Sequence, residues 1–166
     1  SARSRVETVT LGKLIARVKP RLVERAERAG LTIAEDADEQ ARRILVRVDV
    51  SAVEQILFNL VDNAFNYAEP AATEKVIHLE ALPENGRFAL LRVRDHGQGI
   101  SAEAARRLFK PFSKSAHEAA STAPGVGLGL ALCRRLSRSM GGDLRLDSLV
   151  KNGAGFVLTL PAVTSA

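Results

Sequence analysis

Three asparagines recur along "EQILFNLVDNAFNYA", at positions 59, 63 and 66, with Asp62 beside them. At 3.6 residues per turn Asn59, Asp62, Asn63 and Asn66 share one side of a helix, and Val53, Ile56, Leu57, Leu60, Val61 and Ala64 share the other. Asparagine is a poor helix former, and solvated faces are usually built of Lys, Glu or Arg, so a row of carboxamides points to a ligand. Amide oxygens suit a hard cation and amide N–H groups suit phosphate oxygens, which together suit a metal-bound phosphate group. An asparagine-rich solvated face is the plainer alternative.

A second stretch, "DHGQGI" at 95–100, follows an apolar run. A carboxylate at a strand end can accept a hydrogen bond from an exocyclic amine such as that of adenine, and Gly97 and Gly99 let the backbone approach a flat base. A tight turn is the plainer alternative. "GQGISA" also fits the dinucleotide pattern G-x-G-x-x-[GA], but no acid-ended strand follows about 20 residues on, where a ribose partner belongs. In "GVGLGLALCRRL", Gly125, Gly127 and Gly129 lead into a helix whose free N–H groups and positive dipole end favour phosphate. No Lys-Ser/Thr follows them, so this is not a Walker A loop. Leu128, Leu130 and Leu132 are expected in the core.

These stretches need elements to hold them. Residues 10–29 space Leu11, Leu14, Ile15, Val18, Leu22 and Val23 at helical intervals, with Pro20 expected to bend or break the helix. "LTIAED" and "RILVRVD" read as short strands around an acidic turn. Ser51, with Glu54 three residues on, predicts a capping box for a helix reaching about Tyr67. "KVIHLEAL" and "RFALLRVRD" flank "PENG" as a hairpin. Ser101 opens a short helix that ends at "FKPF", residues 113–126 form a loop, and a helix runs from about Gly127 to Ser139. "LRLDSLV" and "GFVLTLP" make a last hairpin. The order predicts a mixed sheet covered by helices.

The chain has 166 residues, enough for one domain with a sizeable core, and its 46% hydrophobic and 26% charged residues are those of a globular protein. No apolar stretch approaches the roughly 20 residues needed to cross a bilayer. With Met140 the only methionine and Ser1 first, the chain is expected to be a segment of something longer. Cys133 alone excludes an internal disulfide, and His78, His96 and His117 are too scattered to suggest a metal cluster. The net charge of +5 is uneven, residues 1–30 carrying eight Lys or Arg against three Glu. Aromatics at 4% are too few to stack nucleic acid, so no nucleic-acid partner is expected.

Taken in order, these motifs resemble the catalytic and ATP-binding domain of sensor histidine kinases, within the wider GHKL family of gyrase, Hsp90 and the MutL proteins. "NLVDNAFNYA" resembles the asparagine box, "DHGQGI" the first glycine box, "LFKPF" the phenylalanine box, "GVGLGLALCRRLSRSMGG" the second glycine box and "GAGFVLTLP" the closing strand. The resemblance spans nearly the whole chain. It implies a Bergerat-type α/β two-layer sandwich, a mostly antiparallel mixed sheet with helices on one face, over residues 1–166 as a single domain.

By the same resemblance Asp95 binds the adenine amine, and Asn63, assisted by Asn59, ligates Mg²⁺. Tyr67 and Ile100 line the nucleotide pocket. Gly97, Gly99, Asn66 and the run Gly125, Val126, Gly127, Leu128 and Gly129 complete the ATP-binding set. Residues 113–126 form a lid with Phe109 and Phe112 at its base, and Lys114 is placed to reach a phosphate. Many relatives have lysine where this chain has Asn66, so an amide stands here in place of a cationic phosphate contact. ATP-hydrolysing members place a glutamate at the position of Asn59, and an amide accepts no proton, so neither water nor serine is expected to be activated.

The expected activity is transfer of the γ-phosphoryl group of ATP·Mg²⁺ to a histidine on a separate dimerisation domain of the parent protein, serving a response regulator downstream. None of His78, His96 and His117 has the His-Glu or His-Asp context of the acceptor. The fragment is expected in the cytoplasm without inserting into a membrane itself, whatever anchors its parent. The alternatives are a hydrolase or clamp of the same fold, a non-catalytic nucleotide sensor, and, more remotely, a nicotinamide-binding enzyme.

Overall fold

Alternating apolar residues make strands here, and the face they leave apolar decides where the helices lie. The computed structural model describes residues 5–67, 75–97, 99–110, 126–147 and 153–163. In β4 (Val76–Pro83) and β5 (Phe88–Arg94), Ile77, Leu79 and Ala81 are buried, as are Ala89, Leu91 and Val93, while their sequence neighbours point to the other face. The two strands pair antiparallel, with "PENG" at their junction as expected. They sit within a five-stranded sheet of order β2 (Thr32–Ala37), β4, β5, β7 (Gly155–Pro161), β6 (Asp143–Leu146). Only the β2–β4 pair is parallel. A separate antiparallel pair joins β1 (Val6–Thr10) to β3 (Leu45–Asp49). Helices α1 (Leu11–Arg28), α3 (Val50–Tyr67) and α5 (Val126–Ser139) form the second layer over a common core. The result is the expected two-layer α/β sandwich with a mostly antiparallel sheet.

Pro20 does not break α1, one of the two outcomes, a bend or a break, expected from its missing N–H. The proline costs about 3 kcal/mol in a helix interior. On either side of it Leu11, Leu14, Ile15, Val18, Leu22 and Ala26 are buried, and a fully buried aliphatic side chain contributes about 1.5–3 kcal/mol, so packing outweighs the lost bond. Thr10 caps the helix, its Oγ1 accepting from the Lys13 N–H at 3.2 Å.

The start of α3 also departs from its predicted cap. The helix begins at Val50, one residue before Ser51, and the Asp49 carboxylate accepts from the Ala52 N–H at 3.3 Å. Glu54, the expected reciprocal member of a capping box, is instead bound by Arg21 at 2.8 Å. Two elements were not anticipated. β1 precedes α1, and the acidic turn holds a single helical turn, α2 (Glu39–Arg42), capped by Asp38. The predicted short helix is α4 (Ala102–Arg107), capped by Ser101 through the Ala104 N–H at 3.1 Å.

The face of the sheet away from the helices carries a charged network. Arg92 bridges Glu80, at 2.8 Å, and Asp147, at 3.1 Å, and Arg94 reaches Glu80 at 2.9 Å. Burial alone would raise the Glu80 carboxyl, but the two guanidiniums outweigh it and hold it below its ordinary value. A depressed carboxyl contributes stability that is present above its unfolded value and lost as pH falls through the folded one. Arg92→Ala should therefore cost about 2–3 kcal/mol, below the full penalty of a broken buried pair because Arg94 remains. Acid titration of thermal stability checks it: the variant should lose less on acidification than the parent does.

Candidate functional site

Asp95 follows β5 directly and is 6% exposed. Its N–H donates to the Ala154 carbonyl at 2.9 Å, which ties the end of β5 to the residue before β7. Its side chain is held through one oxygen: Oδ1 accepts from the Gly97 N–H at 2.8 Å and from the Ala154 N–H at 3.1 Å. Among the described residues nothing donates to Oδ2. Burial pushes the carboxyl above its ordinary value, opposed by those two N–H groups and by the neighbouring His96. The site thus holds a fixed, poorly solvated carboxylate with one oxygen saturated and the other available to an incoming donor.

At Gly99 and Gly153 the missing side chain serves chain packing. Gly99 has φ +83°, and a Cβ there would lie 3.0 Å from the Gly153 carbonyl oxygen. Gly153 has φ +152°, and a Cβ on it would overlap the Asp95 carbonyl oxygen. Gly153 and the Ala154 N–H were not among the residues singled out from the sequence. "GAGF" looks like an ordinary hairpin entry, and only the pairing of β5 with β7 brings it against Asp95.

On α3, Asn63 is buried at 7% exposure. One turn earlier the Asn59 side chain donates to the Gln55 carbonyl at 3.0 Å, which commits its nitrogen. Its oxygen faces α5: a Cβ on Gly129 would sit 2.7 Å from Asn59 Oδ1. The absence of a side chain at Gly129 is therefore what lets the first turns of α5 approach the asparagine face. Asp62, on the same side of α3, is engaged elsewhere. It is gripped by Arg25 of α1 through two bonds of 2.7 and 2.6 Å, with Arg25 also 5.2 Å from the centre of the Phe58 ring. Both partners are half-exposed, so the pair contributes little more than about 1 kcal/mol.

Asn66 and Tyr67 form the last turn of α3, and Val126, Gly127 and Leu128 the first turn of α5; their backbone is described and their side-chain surroundings are not. Lys114, Phe112 and Gly125, with nearly all of the expected lid, lie outside the described residues. Ile100 is half-buried against the core. Phe109 packs edge-on to Phe156 at 6.4 Å between ring centres, with the Arg134 guanidinium 3.7 Å over its ring, which is core packing. Leu130 is in the core as expected, but Leu132 is 41% exposed because it lies on the far side of α5. Cys133 is buried, and desolvation pushes its thiol up to about 12.

The carboxamide oxygens suit Mg²⁺, which takes one or two protein oxygens and keeps water or phosphate on its other positions. Asn63 and Asn59 carry hard oxygen donors on successive turns of α3, with the Asn59 nitrogen already engaged.

Residues 48–164 match the family described as histidine kinase-, DNA gyrase B- and HSP90-like ATPases. The sensor protein EvgS of Escherichia coli K12 is 34% identical over 121 residues, covering 73% of this chain and 10% of EvgS. The swarming motility regulation sensor protein RssA of Serratia marcescens is 34% identical over 152 residues, covering 91% of this chain and 30% of RssA. Full-length ShkA, crystallised in complex with AMPPNP, superimposes with a TM-score of 0.76 at 28% identity, over 99% of this chain and 33% of ShkA. The chain belongs to the histidine kinase-, DNA gyrase B- and HSP90-like ATPase family, and within it to the histidine-kinase type of ATP-binding domain. It spans between a tenth and a third of the length of these relatives. Among the described residues no helix is long and apolar enough to cross a membrane.

Proposed function

We propose that this domain binds ATP·Mg²⁺ and presents the γ-phosphoryl group to a histidine on a separate helical dimerisation domain of a longer sensor kinase. The observation that carries the proposal is the state of Asp95. Its Oδ1 is saturated by Gly97 and Ala154, and its Oδ2 is left to receive the exocyclic amine of adenine. Ile100 and Tyr67 flank the base. Asn63 and Asn59 supply oxygens to Mg²⁺, which neutralises phosphate charge when bound. Asn66, Lys114 and the N–H groups around Gly125, Val126, Gly127, Leu128 and Gly129 receive the phosphates, with the positive end of the α5 dipole behind them.

Asn59 decides the chemistry. An amide at the position from which a carboxylate would deprotonate water takes no proton, so the bound nucleotide is positioned without a built-in base. An imidazole needs none, because with an ordinary pKa near 6.5 it is largely neutral at physiological pH and is itself the nucleophile. Its nitrogen forms the bond to the γ-phosphorus as the bridging oxygen leaves with ADP, and catalysis consists of alignment and charge neutralisation. A response regulator would then take the phosphoryl group, and the site of action would be the cytoplasmic side of whatever membrane the parent occupies.

Radiolabelled ATP tests this. The chain alone should remain unlabelled and release little phosphate, and adding the parent's histidine-bearing helical domain should produce an acid-labile, base-stable phosphohistidine on that domain. Label on the isolated chain, or rapid phosphate release by it, would replace the proposal with autophosphorylation or hydrolysis.

A further inference from the structure

His78 and His96 stand 18 residues apart in the sequence, yet their Nε2 atoms approach to 2.7 Å, with ring centres 4.8 Å apart and planes at 70°. The β4–β5 register explains the meeting. His78 faces Arg94, so His96, two residues on, is the diagonal neighbour on the same face of the sheet. That face is the one away from the helices, since Ile77 and Leu79 on either side of His78 are buried in the core.

We propose that this pair is a binding site for a borderline divalent transition cation of the Zn²⁺ class, separate from the carboxamide site for Mg²⁺. Imidazole nitrogen is the preferred donor for such ions, whereas the oxygens of Asn63 and Asn59 suit hard ones. At metal–nitrogen distances of about 2.0–2.1 Å, two tetrahedral ligands lie about 3.3 Å apart. The two nitrogens need to part by only about 0.6 Å, within the play of a side-chain rotamer well. The donors sit on a paired strand and at the end of its neighbour, so most of the ordering is already present. Both side chains are half-buried, so the pair is reachable from solvent.

Local charge permits a dication. Among the described residues Arg92 and Arg94 on the same face are already ion-paired, both with Glu80 and Arg92 also with Asp147. Cys133 offers no competing thiolate, being buried with its thiol at about 12. The consequence falls on the neighbouring residue: His96 follows Asp95, and a metal spanning His78 and His96 would pin the start of the adenine-binding loop to β4 from the opposite face of the sheet.

Zinc competition against a chromogenic chelator, with the full chain and without nucleotide or Mg²⁺, tests the site. One equivalent should bind, and His78→Ala and His96→Ala should each weaken it roughly tenfold or more. Melting curves in metal-free buffer show whether those variants fold; the corresponding glutamine variants replace any that do not. His117→Ala and Asn63→Ala should leave zinc uptake intact. Absence of stoichiometric uptake, uptake indifferent to both histidines, or loss of uptake in either of the last two variants would overturn the proposal.

Discussion

Asp95→Asn should weaken ATP binding by about ten- to a hundredfold while leaving the unliganded domain as stable as before or more so. The argument lies in which oxygen is engaged. Both backbone N–H donors, from Gly97 and Ala154, converge on Oδ1. An asparagine with its carbonyl in that place keeps both bonds and exchanges only Oδ2 for an NH₂ group. Facing the adenine amine, that NH₂ opposes donor to donor and loses a hydrogen bond to a charged acceptor, about 1.5–3 kcal/mol. Stability moves the other way. Burial holds the Asp95 carboxyl above its ordinary value. The folded state therefore binds the proton more tightly than the unfolded one, and ionising the group costs stability as pH rises from the unfolded value through the folded one. The neutral amide avoids that cost, so the variant's advantage in melting temperature should be present at neutral pH and vanish in acid. Conversely, ATP affinity of the parent should fall as pH drops through the raised value, because a protonated carboxyl no longer receives the amine as an anion. Calorimetric titrations of both proteins from neutral to acidic pH measure all three effects. Unchanged affinity in the variant would remove Asp95 from the site.

The sequence carried the elements better than their joints. The β4–β5 hairpin and α5 were legible because their burial patterns repeat with a single period, every second residue in the strands and three to four in the helix. Pro20 left a break open as an outcome because local propensity counts one lost bond, and the burial of Val18 and Leu22 on either side is visible only once α1 is docked. Asp49 and Ser51 are both competent caps two residues apart; the pairing of β3 with β1 runs to Asp49 and leaves it, not Ser51, at the helix entry. Asp62 shares the helical side of Asn59 and Asn63, but Arg25 on the adjoining helix claims it. The asparagine and Asp95 positions stood out because their residue types are unfavourable for structure alone. His78 with His96, and Gly153 with Asp95, were invisible for the opposite reason. Each is an ordinary residue whose partner is supplied by strand register, which a linear reading does not contain.

Gly153→Ala should be the most damaging small substitution in the site, costing about 2–5 kcal/mol of stability and ATP affinity with it. Two separate penalties act at this residue. Its φ of +152° lies where L side chains are rarely found, and a Cβ would overlap the Asp95 carbonyl oxygen and come within 3.2 Å of the His96 Cα. The obstruction is backbone on both counts, so no side-chain rotation relieves it. The chain can respond only by parting the two segments, and that breaks the Asp95 N–H to Ala154 bond of 2.9 Å and the Ala154 N–H to Asp95 Oδ1 bond of 3.1 Å together. The carboxylate would then lose half of the support that orients it. Against a total stability of roughly 5–15 kcal/mol, a loss of this size is large but leaves a measurable folded fraction. Melting temperature and ATP affinity should therefore fall in parallel in Gly153→Ala, whereas in Asp95→Asn only affinity falls. If Gly153→Ala kept full affinity at reduced stability, the contact between these loops would be scaffolding alone, and the orientation of Asp95 would have to come from Gly97.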